Sequence, residues 1–171
     1  KLFDRIGNEK LHLQTLCGIA HYDYNDPNSY SYEQAFQAMR LLHLPYNDAV
    51  QLYTRMVFNV VARNQDDHTK NISFLMNQKG EWKLSPAYDV TYACDPKSQW
   101  MNRHQLSVNG KREEITQEDL LTVAKEMNIK KANDIIDKVI NSVRKWKKFA
   151  KKSGVLVSQI KAIEKTHLIK I

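Results

Sequence analysis

The feature that most constrains this chain is the run from Val50 to Ala62, which is apolar on most sides of a helix and then stops abruptly. Val50, Tyr53, Met56, Val57, Val60 and Val61 recur at helical spacing, and Leu52 and Phe58 widen the stripe. A helix this apolar has to lie in a core, so the rest of the fold must wrap around it. The spacing predicts its start at a cap on Asn47. After Arg63 the periodicity ends. Asn64-Gln65-Asp66-Asp67-His68-Thr69-Lys70-Asn71 holds almost nothing that could pack in a core. Two strand-like runs follow, Ile72 to Met76 and Glu81 to Leu84, joined by Asn77-Gln78-Lys79-Gly80, which predicts a β-hairpin. The hairpin empties into Ser85-Pro86-Ala87-Tyr88-Asp89.

The flanking segments predict a mainly α chain with small β-hairpins, an α+β fold. Phe3 to Arg5 reads as the end of an extended segment, and His12 to Ala20 as a short helical pattern. A loop from His21 to Ser29, dense in Asn, Asp and Tyr and containing Pro27, comes next. Ser31 with Gln34 forms a capping-box pattern that opens a helix closed off by Pro45. Asn109-Gly110, between Gln105 to Val108 and Lys111 to Glu114, predicts a second hairpin. Thr116 with Asp119 is another capping box, starting a helix to about Asn128. Ala132, Ile135, Ile136, Val139, Ile140, Val143, Trp146 and Ala150 make one apolar stripe ending near Gly154. Leu156, Ile160, Ile163 and His167 mark a last short helix.

At 171 residues the chain is expected to form a single domain, 1–171. Apolar residues at 42% and charged ones at 26% exclude a disordered chain. No apolar run approaches the roughly 20 residues that cross a bilayer, so no membrane role is expected. The first residues lack the apolar core of a signal peptide and a starting Met, which predicts a segment of something longer. Cys17 and Cys94 fit a reduced, cytoplasmic setting as packing residues. The net charge of +7 is concentrated from Lys130 onward, where twelve Lys or Arg face three Asp or Glu, leaving the front mildly acidic. Because Arg144, Lys145, Lys147, Lys148, Lys151 and Lys152 mostly oppose the apolar stripe, they predict a solvated face.

The chemistry is expected where the helix, polar loop and hairpin meet. A buried helix delivers an acidic loop to one point, and a hairpin that leaves and returns brings Asp89 back toward Asp66 and Asn71. Two carboxylates and a carboxamide are hard oxygen donors, which suit Mg²⁺ or Mn²⁺ rather than zinc. Phosphoryl transfer in kinases needs a loop Asp to accept the substrate hydroxyl proton. It also needs an Asn five residues later and a second Asp beyond the next hairpin for the metal. Asp66 to Asn71 is that five-residue step, and Asp89 follows one hairpin later. Asp67 falls one place too late, and reads as a loop-shaping or helper carboxylate rather than a second base.

Val60-Val61-Ala62-Arg63-Asn64-Gln65-Asp66-Asp67-His68-Thr69-Lys70-Asn71-Ile72-Ser73-Phe74-Leu75, followed by Leu84-Ser85-Pro86-Ala87-Tyr88-Asp89-Val90-Thr91-Tyr92, resembles the signature of HipA-like serine/threonine kinases, toxins of bacterial toxin–antitoxin pairs. Phe3-Asp4-Arg5 and Tyr30-Ser31-Tyr32-Glu33 agree with it. The resemblance covers essentially the whole chain as the helical C-lobe of a protein-kinase-like fold. It implies ATP and Mg²⁺ as cofactors and Asp66 as catalytic base. It further implies His68, Lys70, Asn71, Tyr88 and Asp89 at the nucleotide, Asn71 and Asp89 on the metal, and Phe3 beside adenine. Implied partners are a protein substrate such as an aminoacyl-tRNA synthetase and a helix-turn-helix antitoxin, with DNA reached only through the antitoxin. The chain departs from ordinary protein kinases, having Asn64-Gln65-Asp66 and Tyr88-Asp89-Val90 where those carry His-Arg-Asp and Asp-Phe-Gly. The glycine-rich phosphate loop and ATP-contacting Lys of the family lie upstream of the hinge, and the five glycines here are not clustered. Weak or no activity is therefore expected of this segment alone.

Other readings remain open on the residues. The chain could be a non-catalytic module completed by a partner chain, a metal-dependent phosphohydrolase using Asp66, Asp67, His68 and Asp89, or a basic DNA-binding regulator. His12, His21, His43, His104 and His167 read as surface or packing residues. Trp82, Trp100 and Trp146 read as core filling, and Tyr22, Tyr24, Tyr30 and Tyr32 as a loop packed by its own aromatics.

Overall fold

The computed structural model describes residues 3–26 and 29–171. Pro27 and Asn28 of the expected His21 to Ser29 loop, and the Lys1-Leu2 start, lie outside the described residues. Among the described residues there are seven α-helices and five short strands, a mainly α fold with small antiparallel sheets. Of these helices, none is long and apolar enough to cross a membrane.

The central helix, α3 (Tyr46–Ala62), carries the apolar pattern into the core, and Leu52, Tyr53, Met56, Val57, Val60 and Val61 are fully buried. Its cap lies at Pro45 rather than at Asn47. Pro45 takes φ −67°, and its carbonyl accepts the Asp48 N–H at 2.9 Å, so the expected capping side chain is not needed. Helix α2 (Tyr32–Leu41) opens with the Ser31/Gln34 capping box, in which Ser31 Oγ accepts Gln34 N–H and Gln34 Oε1 accepts Ser31 N–H. Such a cap stabilises a helix by about 1 kcal/mol. The helix ends before Pro45, which starts α3 rather than stopping α2.

Strands β1 (Arg5–Ile6) and β2 (Glu9–Lys10) form a small antiparallel ribbon across Gly7, whose φ of +62° suits glycine. Strand β3 (His12–Thr15) then pairs with β4 (Ser73–Met76), and β4 with β5 (Trp82–Leu84), giving the order β3-β4-β5. The β4–β5 hairpin sits where the sequence places it. The helical expectation for His12 to Ala20 holds only for α1 (Leu16–Ile19), which Thr15 caps. The first half is drawn into a strand because β4 offers it a backbone ladder, a long-range demand that overrides a short local period. Asp48 Oδ2 accepts Leu84 N–H at 2.8 Å, pinning the sheet's edge to α3.

Helix α4 (Gln117–Glu126) starts at its Thr116/Asp119 capping box, followed by α5 (Ala132–Val143), α6 (Trp146–Lys152) and α7 (Val157–Glu164). The single stripe expected from Ala132 to Ala150 is broken at Arg144-Lys145. There Lys145 N–H bonds the Ser142 carbonyl in a tightened turn, and the redirected α6 sends Trp146 Nε1–H to the Ile160 carbonyl at 3.2 Å. Helix α5 packs on α3, and α6 on α7. The second hairpin is reduced to its tip. Asn109 and Gly110 take φ of +50° and +75°, as a tight turn requires, but only Val108 and Lys111 pair. The backbone that would extend the ladder is engaged elsewhere: Ser107 exchanges bonds with Tyr30 and Tyr32, and Gln105 N–H goes to Asp67. The cysteines are half-buried free thiols.

Candidate active site

The polar loop after α3 is shaped from its first residue. Arg63 turns into the left-handed region at φ +61°, letting Asn64 N–H reach the Asn59 carbonyl at 2.9 Å and closing the helix. The loop then pairs with the chain beyond Asp89. Gln65 N–H donates to the Ala93 carbonyl at 2.8 Å, and Ala93 N–H to the Arg63 carbonyl at 3.2 Å. That pairing, together with the β4–β5 hairpin, is what returns Asp89 to the loop. Asp89 sits at φ +51°, an unusual conformation for a residue with a Cβ and of the kind that clusters at functional sites.

Asp67 is enclosed by hydrogen bonds. Tyr32 Oη–H donates to Oδ2 at 2.8 Å, His104 Nδ1 lies 2.9 Å from the same oxygen, and Gln105 N–H donates to Oδ1 at 2.8 Å. Asn59 Nδ2 in turn donates to Tyr32 Oη at 2.9 Å, and Asn64 Nδ2 to Asn59 Oδ1 at 3.0 Å. Burial alone would raise the Asp67 carboxyl pKa. The His104 charge, with bonds from His104, Tyr32 and Gln105, outweighs burial and holds it below the ordinary value. Burial, then the Asp67 charge, pushes the Tyr32 phenol well up. The loop-shaping role expected of Asp67 is therefore observed, and its burial removes it from a four-residue metal cluster with Asp66, His68 and Asp89. Reading the sequence did not pick out Tyr32 and His104 as its partners, because residues 35 and 37 positions away carry no local signal.

The predicted site residues divide between two adjoining hollows. A cavity of about 300 Å³, floored by α3 and flanked by α5, is lined by His68, Asn71, Tyr88 and Asp89. Arg55 reaches it from α3 and donates to the Ser85 carbonyl at 2.6 Å, a cation that the sequence reading did not single out. Its guanidinium pKa is lowered by burial, with Asp48 and Tyr88 opposing the shift. Asp66 does not line this cavity. Its carboxylate is 43% exposed and borders a second pocket of about 430 Å³. His68 lines both, with Nε2 3.9 Å from Asp66 Oδ1. Its Nδ1 is buried with no hydrogen-bond partner among the described residues.

Asn71 links the two sides. Its Nδ2 donates to the Asp66 carbonyl at 2.9 Å, which makes the carboxamide oxygen the atom that a cation would meet. Tyr88 Oη–H donates to the Lys70 carbonyl at 2.5 Å, and its ring stacks on Phe3 with centroids 5.7 Å apart. Burial raises the Tyr88 pKa, with the Asp89 charge adding to it and a bond with Ser73 and the Arg55 charge opposing. Lys70 lines neither hollow; its Nζ lies 3.3 Å above the ring of Tyr24, which belongs to the second pocket's wall. Phe3 lines neither hollow and reaches the site through Tyr88. Among the described residues no group of three or more His, Cys, Asp or Glu could hold a metal. The Asn71 and Asp89 oxygens instead fit a cation that keeps several waters and substrate phosphates, as Mg²⁺ does. The unpartnered His68 nitrogen and the Arg55 guanidinium are suited to anionic oxygens.

Trp100, expected in the core, is 49% exposed at the rim of the second pocket. Trp82 and Trp146 are partly buried as expected. Of the four loop tyrosines expected to pack on one another, only Tyr22 and Tyr30 stack, at 4.2 Å; Tyr24 is 40% exposed against Lys70 and His68, and Tyr32 is buried on Asp67.

Comparison with known proteins follows the same lines. Among curated proteins no sequence matches. Among solved structures, a chain of the Shewanella oneidensis MR-1 toxin–antitoxin complex of HipA, HipB and operator DNA superposes with a TM-score of 0.65 at 18% identity. The match covers 85% of this chain and 39% of that one, so this chain spans well under half of its solved relative. At that identity the likeness is one of fold. A profile of the HipA-like C-terminal domain matches residues 1–147, from β1 into the start of α6. The chain belongs to the HipA-like C-terminal domain family.

Proposed function

We propose that this chain is the helical lobe of a serine/threonine protein kinase that moves the γ-phosphoryl group of ATP to a protein hydroxyl, as the toxin of a bacterial toxin–antitoxin pair. The observation that carries this reading is the division of one short loop between two hollows. Asp66 borders one, Asn71 with Asp89 lines the other, and His68 stands between them. A base on the acceptor side and oxygen ligands on the phosphate side are what in-line phosphoryl transfer needs.

In the reaction the acceptor hydroxyl oxygen bonds to the γ-phosphorus as the bond from phosphorus to the β–γ bridging oxygen breaks. ADP departs, and the hydroxyl proton passes to the Asp66 carboxylate. The proton leaves late in a loose transition state, so the position of Asp66 counts for more than its basicity. Asn71 and Asp89 would hold Mg²⁺, which supplies neutralisation of the charge on the phosphate oxygens. His68 and Arg55 present nitrogen to the phosphates, and Tyr88, backed by Phe3, closes the nucleotide side. The phosphate-binding loop and its lysine have to come from elsewhere in cis or from a partner chain. By the family, the acceptor would be a translation protein such as an aminoacyl-tRNA synthetase. The restraint would be a helix-turn-helix antitoxin that itself holds DNA, a partnership supported by the fold shared with the HipA, HipB and operator complex.

Asp66→Asn in the full protein is expected to keep ATP binding while lowering transfer by about 10²–10⁴-fold, the usual worth of a general base. Radiolabelled γ-phosphate transfer beside nucleotide titration measures both, and transfer at the normal rate would overturn the role of Asp66.

A further inference from the structure

We propose that the second pocket is the acceptor groove, and that it selects a polypeptide segment with a large apolar or aromatic side chain within about three residues of the phosphorylated Ser or Thr. This rests on the kinase reading above and adds a substrate preference to it. Asp66 borders the groove with its carboxylate 43% exposed, so a hydroxyl lying there meets the base directly. The other carboxylate of the groove is Asp26, with Asn25, Thr69, Ser98 and Gln105 as further polar groups. Tyr24, Tyr30, Trp100, Met101 and Leu106 line it, and Tyr24 and Trp100 remain 40% and 49% exposed. Exposed aromatics facing a concave surface beside a reactive group are the residues that dominate recognition energies.

Both exposed rings are held in place before any substrate arrives. Ser98 Oγ accepts the N–H groups of Trp100 and Met101, each at 3.2 Å. The Met101 carbonyl accepts Asp95 N–H at 2.9 Å, and Gln105 Nε2 donates to the Trp100 carbonyl. The turn is therefore pinned at both ends while the indole projects from it. Tyr24 is clamped by Lys70 Nζ on its face and by the His68 ring at its edge, with centroids 5.2 Å apart. Tyr30 is backed by Tyr22. Ordering side chains at an interface normally costs affinity, and here that ordering is already done. A pocket of about 430 Å³ has room for an apolar side chain as well as the hydroxyl-bearing residue.

The test uses the full protein with Mg²⁺-ATP, a positional-scanning library of Ser-centred peptides, and a dephosphorylated cell lysate as protein acceptor. The wild type is expected to favour apolar and aromatic residues near the Ser. Trp100→Ala is expected to flatten that preference and raise the acceptor KM about 10-fold, the usual scale for truncating an aromatic anchor, with the ATP KM within about twofold. Trp100→Phe is expected to restore most of the preference. Because the indole is half exposed, thermal melting should be nearly unchanged, separating recognition from folding. If peptides are phosphorylated but Trp100→Ala changes neither preference nor acceptor KM, the groove assignment fails and the kinase reading stands. Labelled lysate proteins with no labelled peptide likewise overturn the groove assignment and leave the kinase reading in place. If the wild type labels neither, both readings fail together.

Discussion

Asp66 and Asp67 are neighbours in sequence and identical in chemistry, yet one is open to solvent and the other is enclosed. The Asp66 side chain is 43% exposed and 3.9 Å from one imidazole, and it borders an open pocket. Asp67 is 1% exposed, and its carboxylate gathers donors from α2, from the segment at His104 and from the backbone of Gln105. Asp67 thus gives up reactivity to anchor the loop, and Asp66 is held in place without being occupied. A reactive carboxylate on a mobile loop would be poorly placed. Here the adjacent residue supplies the rigidity, through a network that also ties the segment beyond Asp89 to the loop.

That contrast can be broken most severely at Asp67. Asp67→Ala leaves His104 and the Tyr32 hydroxyl without their buried partner and is expected to destabilise the fold by about 3–5 kcal/mol in urea denaturation. A cost below about 1 kcal/mol would mean that the loop is held mainly by its backbone pairing to Ala93. Asp119 is a second buried carboxylate whose bonds lie outside the Asp67 network, so it tests whether the effect belongs to burial or to the site. It completes the α4 capping box and takes bonds from Asn109 and Lys111. Asp119→Ala should cost about 2 kcal/mol without altering ATP binding.

Both buried carboxylates also set the acid limb of stability. Burial pushes the Asp119 pKa up, but the Thr116 N–H, Lys111, Asn109 and the Thr116 hydroxyl together bring it well below the ordinary value. Asp67 is depressed as well. A folded-state pKa below the unfolded one gives stability that is complete above the unfolded value, near 4, and is lost as pH falls through the folded value. Urea midpoints should thus decline from about pH 4 downward, and Asp119→Asn should make that decline shallower. The smallest expected effect is that of Asp66→Asn on folding, within about 0.5 kcal/mol, as for an exposed residue outside the network. A large loss there would mean that the Asp66 carboxylate also supports the loop.

Several elements were legible because their signals are local. The apolar surface of α3, the two capping boxes and the β4–β5 hairpin each depend on residues a few positions apart, and each lies where the spacing puts it. Misreadings arose where a distant partner intervened. His12 to Thr15 became a strand because β4 needed a neighbour, and the Asn109-Gly110 ladder stopped after one pair because Tyr30, Tyr32 and Asp67 had taken its backbone groups. Trp100 was expected inside because a large ring normally is. A turn fixed by Ser98 and Gln105 instead presents it to solvent.

The amino-acid order by itself determined the family, the helical frame and the short list of polar residues after α3, since these are properties of spacing along one segment. Only the tertiary structure decided that Asp66 is exposed and Asp67 enclosed, that His104 and Tyr32 secure the loop, and that Arg55 enters the cavity with Asn71 and Asp89. The physical reason is that burial and hydrogen-bond partnership are set by residues tens of positions away. A carboxylate's chemistry follows from its neighbours in space rather than from its own identity.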